Sequence, residues 1–306
     1  MTRATVVEAA RQALGPVGVF LPVSFTSLPS ADEQREAVRR FERAGYRTVW
    51  ANEVVGGKDV FVQLAVLLAA TERLVFATGI ANIWARPPQT AHGAAALLAQ
   101  AFPGRFVLGL GGGYPQQAES VGREFGKPLA TMRGYLAGMS APSWPPAPEV
   151  AYPRIIAANG PKMLALGGEL ADGVIPAGLP PESTAEARKL LGPDKLLVVG
   201  LSVILDDDRE RAKASARASV AARLGQPWYA AAMTRLGFSE QDVADVSDKL
   251  VDALVAHGDP ASIADKVREH LAAGADHVTL MPPTDGEFAG GMDKLENLAA
   301  ELVKID

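Results

Sequence analysis

The chain has 306 residues, no cysteine and four histidines. The lack of cysteine excludes disulfides, thiolate metal ligands and cysteine nucleophiles. The histidines form no H-x-x-x-H pair and join no cluster of acidic residues, so we do not expect a metal site. Positively charged residues are also fewer than negatively charged ones, and the formal net charge is −5. That balance argues against nucleic acid or an anionic membrane as the main partner.

Long apolar runs are missing as well. No stretch approaches the roughly 20 apolar residues that span a bilayer. The N-terminal segment has the pattern of a short amphipathic helix, not of a signal peptide. We therefore expect a cytoplasmic protein whose partner is a small-molecule substrate.

What the sequence does contain is a regular alternation of short apolar runs with helical patterns. The alternation predicts a parallel sheet with helical crossovers, which is the α/β class. Eight such units in 306 residues fit a closed (β/α)8 TIM barrel better than an open doubly wound sheet. We expect one domain over residues 1–306. The predicted strands cover residues 17–21, 47–52, 74–80, 106–110, 154–158, 173–175, 196–205 and 276–281.

Two segments depart from this alternation. Residues 209–256 are predicted as a long helical region, broken near Gly225 and Gly237. The proline-rich residues 141–153 are predicted as a surface loop. Neither segment looks like a linker between two domains.

Glycines follow the fourth predicted strand, in the run from Gly109 to Tyr114. Glycines at a strand end let backbone N–H groups approach a phosphate or a flat ring. A dinucleotide-binding fingerprint would require glycine at position 114, where Tyr114 stands. A cofactor-contacting loop and a plain flexible barrel loop both remain open.

The fifth predicted strand ends in Ala158, Asn159, Gly160 and Pro161. Pro161 is suited to the first position of a helix, whose N-terminus offers free N–H groups and a positive dipole end to a phosphate. The alternative is an ordinary turn with a favourable N-terminal proline.

Polar residues or glycine also end the second and third strands. Asn52 is positioned to hydrogen-bond the edge of a ring, and Glu53 is either an acid, a base or a solvated charge. Gly79 within an apolar strand indicates a bulge or a ligand packed against backbone, with simple barrel curvature as the alternative.

Residues 59–110 resemble the luciferase-like monooxygenase family. The most specific piece is Gly104-Arg105-Phe106, which opens a strand that leads into the glycine loop. The segments Lys127–Arg133 and Gly160–Leu164 resemble the branch of the family that uses the deazaflavin coenzyme F420. Other matches cover nearly the whole chain in the same order. FMN occupies the same barrel mouth in sister enzymes and is the alternative cofactor.

The resemblance implies hydride transfer between coenzyme F420 and a small organic substrate. It implies a non-prolyl cis peptide between Gly79 and Ile80 below the ring, and Asn52 facing the ring. Many relatives carry an acidic residue followed by histidine after the second strand, where this chain has Asn52-Glu53. Glu53 is therefore the best available catalytic acid or base, and Asn52 is the other catalytic candidate.

The remaining implied contacts are with the cofactor tail and the substrate. The tail is expected to lie along Gly112, Gly113 and Tyr114, and its phosphate along Ala158, Asn159, Gly160 and Pro161. The substrate side is expected to be walled by Phe25, Trp84 and Tyr114. An FMN-dependent monooxygenase and a barrel that binds the cofactor without turnover are the alternative functions. Relatives are often dimers, and by that analogy a homodimer is one expectation for this chain.

Overall fold

The computed structural model describes residues 3–23, 28–283 and 287–305. The strands are β1 (Val17–Phe20), β2 (Thr48–Ala51), β3 (Val75–Thr78), β4 (Ala81–Asn82), β5 (Phe106–Gly111), β6 (Arg154–Ala157), β7 (Gly173–Ile175), β8 (Leu196–Leu205), β9 (Val255–Gly258) and β10 (His277–Met281). The helices are α1 (Arg3–Leu14), α2 (Ala31–Arg43), α3 (Val60–Leu68), α4 (Pro88–Ala101), α5 (Pro115–Glu119), α6 (Pro128–Met139), α7 (Pro161–Leu170), α8 (Pro181–Leu191), α9 (Arg209–Leu224), α10 (Pro227–Arg235), α11 (Glu240–Asp245), α12 (Asp248–Leu254), α13 (Pro260–Ala272) and α14 (Phe288–Leu302).

Eight of these strands close into a parallel barrel. Their order around it is β1, β2, β3, β5, β6, β7, β8 and β10, and β10 pairs with both β8 and β1. These eight strands are the ones that the alternation predicts, so the (β/α)8 barrel is confirmed. The predicted loop at residues 141–153 is also confirmed, since it contains neither helix nor strand.

Two additional strands were not predicted. β3 ends at Thr78, before the predicted end of the strand 74–80, and β4 follows directly after that predicted range and pairs with β5. β9 pairs with the last four residues of β8, Ser202–Leu205. The prediction of helix over residues 209–256 is wrong at its end, because Ala256 belongs to β9. β8 extends past the barrel and would leave an unpaired edge, and β9 covers that edge by a long-range contact that local helical pattern cannot report.

The barrel interior and its outer layer form separate apolar clusters. Phe20, Trp50, Ala77, Val107 and other alternate residues of the strands fill the interior, and α1 closes the amino-terminal end of the barrel with Val7, Ala10 and Leu14. The opposite strand faces pack against the surrounding helices. A third cluster lies beneath α9 to α12. The carboxyl ends of the strands are thus left as the open end, which we call the mouth.

Capping residues fix where the helices around the mouth begin. The side chain of Asp59 accepts hydrogen bonds from Phe61 N and Val62 N at the start of α3. The side chain of Asp208 accepts a hydrogen bond from Arg211 N at the start of α9. α7 begins with Pro161, as predicted. In the described part of the chain, no helix is long and apolar enough to cross a membrane.

Candidate active site at the barrel mouth

The predicted site residues of β2, β3, β5 and β6 meet at one end of the barrel. Trp50, Ala77, Val107 and Ile155 face the interior. Side chains alternate along a strand, so residues two or four positions further face the axis as well. By that count Asn52, Gly79, Gly111 and Asn159 surround the mouth.

The backbone at Gly79 forms part of the floor of the mouth. The Gly79–Ile80 peptide is cis, as the family resemblance implies. A methyl group on Gly79 would lie 2.3 Å from Phe20 Cζ and 3.1 Å from Trp50 Cε3, so the position excludes a side chain. Gly79 and Ile80 are themselves half-buried and border the mouth. Glycine is therefore required here because the Phe20 ring packs directly under the backbone, which leaves the Gly79–Ile80 backbone itself at the mouth.

Glu53 lies directly behind this floor, with a side chain only 1% exposed. Its Oε1 accepts a hydrogen bond from Val60 N (3.1 Å), and its Oε2 accepts one from Asn82 N (2.8 Å). Arg86 pairs with both oxygens, with Nη1 at 3.0 Å from Oε2. Each carboxylate oxygen of Glu53 thus already accepts hydrogen bonds from two donors. These contacts favour a role for Glu53 in positioning the surrounding loops over a role in proton transfer. Proton transfer by Glu53 stays a prediction.

Arg86 also pairs with Asp59 at 2.8 Å, so one guanidinium joins two carboxylates. Burial opposes its charge, but the hydrogen bonds that Arg86 donates to Glu53 and Asp59, together with the negative charges of these two residues, outweigh burial and raise the pKa of Arg86. The group holds together the end of β2, the start of β4 and the first turn of α3. The sequence gives no local sign of this arrangement, since Arg86 lies 33 residues beyond Glu53.

Lys58 is a second residue that the sequence analysis missed. Its Nζ donates to Asn52 Oδ1 at 3.3 Å, beside the mouth. Burial lowers the pKa of Lys58, and the charge of Glu53 opposes that effect. The neighbouring carboxylates Glu53 and Asp59 pair with Arg86 instead. Lys58 is therefore a half-buried amine beside the mouth. A lysine whose pKa is lowered by burial is a candidate proton donor or acceptor in catalysis.

The glycine loop after β5 is held by a polar network. Buried Asn82 donates from Nδ2 to Gln117 Oε1 (3.1 Å), and the same oxygen accepts from Tyr114 N (3.0 Å). Gly113 has φ of +55°, and a methyl group there would lie 1.8 Å from Gln117 Oε1. The open alternative of a flexible loop is therefore disfavoured. Gln117 was not singled out from the sequence, because only folding brings it under the loop.

The three residues that were predicted to wall the substrate side differ in their placement. Trp84 Nε1 donates to Gly112 O at 2.7 Å, and the Trp84 ring lies 5.8 Å from that of Phe125. Tyr114 is exposed. Phe25 lies outside the described residues. Trp84 is thus fixed at the rim above the glycine loop.

Asn159 and Gly160 have different roles on the far side of the mouth. Asn159 bonds through its side chain to both Ala177 N (2.9 Å) and Ala177 O (3.1 Å), which joins the loops after β6 and β7. Gly160 is the N-cap of α7, which has no side-chain cap, and no atom lies within 4 Å of a methyl group placed on it. Pro161 begins the helix, and Ala158 is buried. This open helix N-terminus suits a phosphate.

The histidines do not enter the mouth. His92 Nδ1 lies 2.7 Å from the hydroxyl of Tyr152, a residue that precedes β6 in the chain. His257 belongs to β9 and bonds to Asp252. His270 bonds to Thr184, and His277 lies at the amino-terminal end of β10. Across residues 3–23, 28–283 and 287–305, no group of three or more His, Cys, Asp or Glu is arranged to hold a metal.

The family model of the luciferase-like monooxygenases matches residues 15–277. The chain therefore belongs to this family.

Individual relatives include both deazaflavin and flavin proteins. A 5,10-methylenetetrahydromethanopterin reductase of Methanolobus tindarius is 28% identical over 204 residues, which is 58% of this chain and 63% of that protein. The match thus spans less than two thirds of that relative. A provisionally named coenzyme F420-dependent oxidoreductase of Mycobacterium tuberculosis is 26% identical over 73% of this chain and 83% of its own length.

Among solved structures, a Type II Baeyer–Villiger monooxygenase from Pseudomonas putida, in complex with FMN, has the same fold. Its TM-score is 0.70 at 16% identity, covering 95% of this chain and 98% of that one.

Proposed function

We propose that the chain transfers a hydride between coenzyme F420 and a small organic substrate at the mouth. The observation that carries the proposal is the pairing of a glycine floor at Gly79 with the open N-terminus of α7 at Gly160. In this proposal the first would lie against a flat ring and the second would bind a phosphate. When bound, the deazaflavin would supply the site that gives or takes the hydride.

F420 is preferred to FMN on two grounds. The Mycobacterium tuberculosis relative carries that coenzyme in its name. The segments Lys127–Arg133 and Gly160–Leu164 resemble the F420-using branch. The FMN-dependent monooxygenase is the second candidate, supported by the shared family and by the fold of the FMN complex.

The chain's own residues would orient the ring and move one proton. Asn52 offers an amide to the ring edge, and its Oδ1 holds Lys58 Nζ at 3.3 Å. A carbonyl substrate that receives a hydride also needs a proton on its oxygen, and Lys58 is positioned to give that proton from Nζ. In the reverse direction the neutral amine would take it. Glu53 and Arg86 would hold the loops that carry these groups.

The test is a pair of binding titrations, with F420 and with FMN, each followed by the absorbance or fluorescence of the cofactor. We expect F420 to bind with a Kd in the micromolar range or below, and FMN about tenfold or more weakly. Tighter binding of FMN would support the monooxygenase candidate. Failure of both cofactors to bind would refute the proposal. Tight F420 binding with no turnover across a broad substrate panel would favour a barrel that only binds the cofactor.

Two variants locate the phosphate. Gly160→Asp places a carboxylate at the N-terminus of α7, and Gly160→Asn adds a side chain of similar size without charge. The space around Gly160 accommodates both. We expect Gly160→Asp to weaken F420 on the order of tenfold by repulsion, and Gly160→Asn to change it little. Equal effects of the two variants would place the phosphate elsewhere.

A further inference from the structure

Arg223, near the end of α9, reaches the mouth from outside the barrel. Its Nη2 donates to the hydroxyl of Ser202. Ser202 faces the axis by the same alternation as Val198, and it pairs in register with Met281 at the end of β10. A methyl group on Gly178 would lie 2.6 Å from Arg223 Nη1. The guanidinium therefore lies against the carboxyl ends of β7 and β8.

The charge of Arg223 is not balanced by a carboxylate in the described part of the chain. Some partly buried arginines are balanced, as Arg86 is by Glu53 and Arg188 by Asp276 at 2.7 Å. Arg105, near the amino-terminal end of the barrel, donates only to neutral oxygens, so the case for Arg223 depends on its place beside the mouth. The neighbours of Arg223 are the hydroxyls of Ser202 and Tyr229, which are neutral. A half-buried cation without an anion carries a desolvation cost that a bound anion would offset.

The position of this cation connects it to the phosphate site proposed above. Gly178 follows Ala177, whose backbone is bonded by the Asn159 side chain. Tyr229 donates its hydroxyl to Gly178 O at 2.6 Å and so supports the same loop. Arg223 and the N-terminus of α7 thus lie on the β6–β8 arc, whereas Asn52 and Lys58 lie in the connection from β2 to α3, across the mouth.

We propose that Arg223 and Ser202 form an oxyanion-binding site at the mouth, for a phosphate or carboxylate group. A guanidinium offers a planar fork of N–H donors that matches either group. The oxyanion would come from the tail of the bound cofactor or from an anionic substrate. The cofactor source depends on the proposed function, whereas the site itself does not.

The experiment compares three probes on four proteins. The probes are F420, the same deazaflavin without its phosphate tail, and radiolabelled inorganic phosphate in equilibrium dialysis. The proteins are the wild type, Arg223→Gln, Arg223→Lys, and Arg209→Gln as a control. Arg209 begins the same helix, roughly 20 Å away at 1.5 Å per residue, and is exposed.

We expect Arg223→Gln to weaken phosphate binding about tenfold to a hundredfold, the loss typical of a charge-assisted contact, and Arg223→Lys to weaken it less. A matching loss with F420, but not with the tail-free deazaflavin, identifies the cofactor tail as the source. A loss with phosphate alone identifies the substrate.

Unchanged binding of every probe by Arg223→Gln would overturn the inference. Ser202→Ala, which keeps Arg223 but removes its hydroxyl partner, provides a second variant should Arg223→Gln fold poorly. If the wild type binds phosphate through Arg223 but does not bind F420, the proposed function fails while the oxyanion site stands.

Discussion

The amino-terminal end of the barrel and its mouth differ in what their buried polar groups bind. At the amino-terminal end, His277 Nδ1 donates to Gly15 O (2.7 Å), and Nε2 accepts from Trp50 Nε1 (3.0 Å). The Thr48 hydroxyl there donates to Leu14 O at 2.8 Å. At the mouth, Lys58 and Arg223 contact neutral groups and form no ion pair within the described residues.

This contrast separates stability from ligand binding. A polar group whose partners all come from the protein can specify the fold but is not available to a ligand. Lys58 and Arg223, which lie beside the open mouth and form no ion pair within the described residues, are in contrast candidates for contact with a ligand. The contrast agrees with the usual division in barrels of this type, in which the closed end serves stability and the mouth carries the site.

The largest effect on stability is expected from Arg86→Met, because Arg86 belongs to the part of the mouth that is fully paired. The substitution leaves the carboxylate of Glu53 buried without its cation. We expect a loss of about 3–5 kcal/mol in the free energy of unfolding, measured with urea. Arg133→Met removes an exposed pair with Glu169 and should cost less than about 1 kcal/mol. Similar losses in both variants would show that the Glu53 cluster is not special.

Acid should destabilise the protein through a buried histidine at the closed end of the barrel. Burial lowers the pKa of His277 to about 4, against the hydrogen bond to Gly15, which opposes the shift. An unfolded histidine takes up its proton near pH ~6.5, so between pH 6.5 and 4 the unfolded state binds more protons and stability falls as pH falls. The loss from this residue is about 3 kcal/mol across that window.

His277→Gln tests this assignment. The variant should be less stable than the wild type at pH 7, and its stability should depend less steeply on pH between 6.5 and 4. Burial lowers the pKa of His270 to about 4 as well, so part of the slope should remain. An unchanged slope would mean that His277 does not control acid sensitivity.

An intermediate effect is expected at the floor of the mouth. Gly79→Ala brings a methyl group to 2.3 Å from Phe20 Cζ, which forces either the ring or the backbone to move. We expect a loss of about 1–3 kcal/mol, as for overpacked cores. Gly160→Ala is the matched control, because no atom lies within 4 Å, and it should change stability by about 0.5 kcal/mol or less. Equal costs at the two positions would contradict the described packing.

The smallest effect on stability is expected from Lys58→Met, although its effect on turnover should be large. Burial lowers the pKa of Lys58, so between its folded and unfolded pKa values the unfolded state binds more protons and wild-type stability rises with pH. Lys58→Met should abolish that rise and change stability near pH 7 by less than about 1 kcal/mol.

Turnover gives the second readout for Lys58. We expect kcat to fall about 10²–10⁴-fold, the usual contribution of a positioned acid or base, with loss of one limb of its pH profile. The control is Lys189→Met, which changes an exposed lysine on α8 and should leave kcat unaltered. An unaltered pH profile in Lys58→Met would refute proton transfer by Lys58.

The strands of the barrel were predictable because each one has a local signal. Val17–Phe20 and Leu196–Leu205 are short apolar runs with helical patterns on either side, and such alternation leaves few possible topologies. The glycines at 79 and 160 stood out because they occur at strand ends. β9 was missed because its pairing with β8 depends on residues some 50 positions earlier in the chain.

The order of apolar and polar residues by itself determined the barrel, because periodicity is a local property. Strand-end glycines and polar residues predicted a site at the carboxyl ends of the strands, and motifs such as Gly104-Arg105-Phe106 indicated the family by resemblance. Only the tertiary structure decided what the charges do. Glu53 meets Arg86, Lys58 meets Asn52 and Arg223 meets Ser202 through contacts set by loop paths and helix placement. Whether a charge is neutralised or left for a ligand depends on distances of a few ångströms, and these are fixed only when the chain is folded.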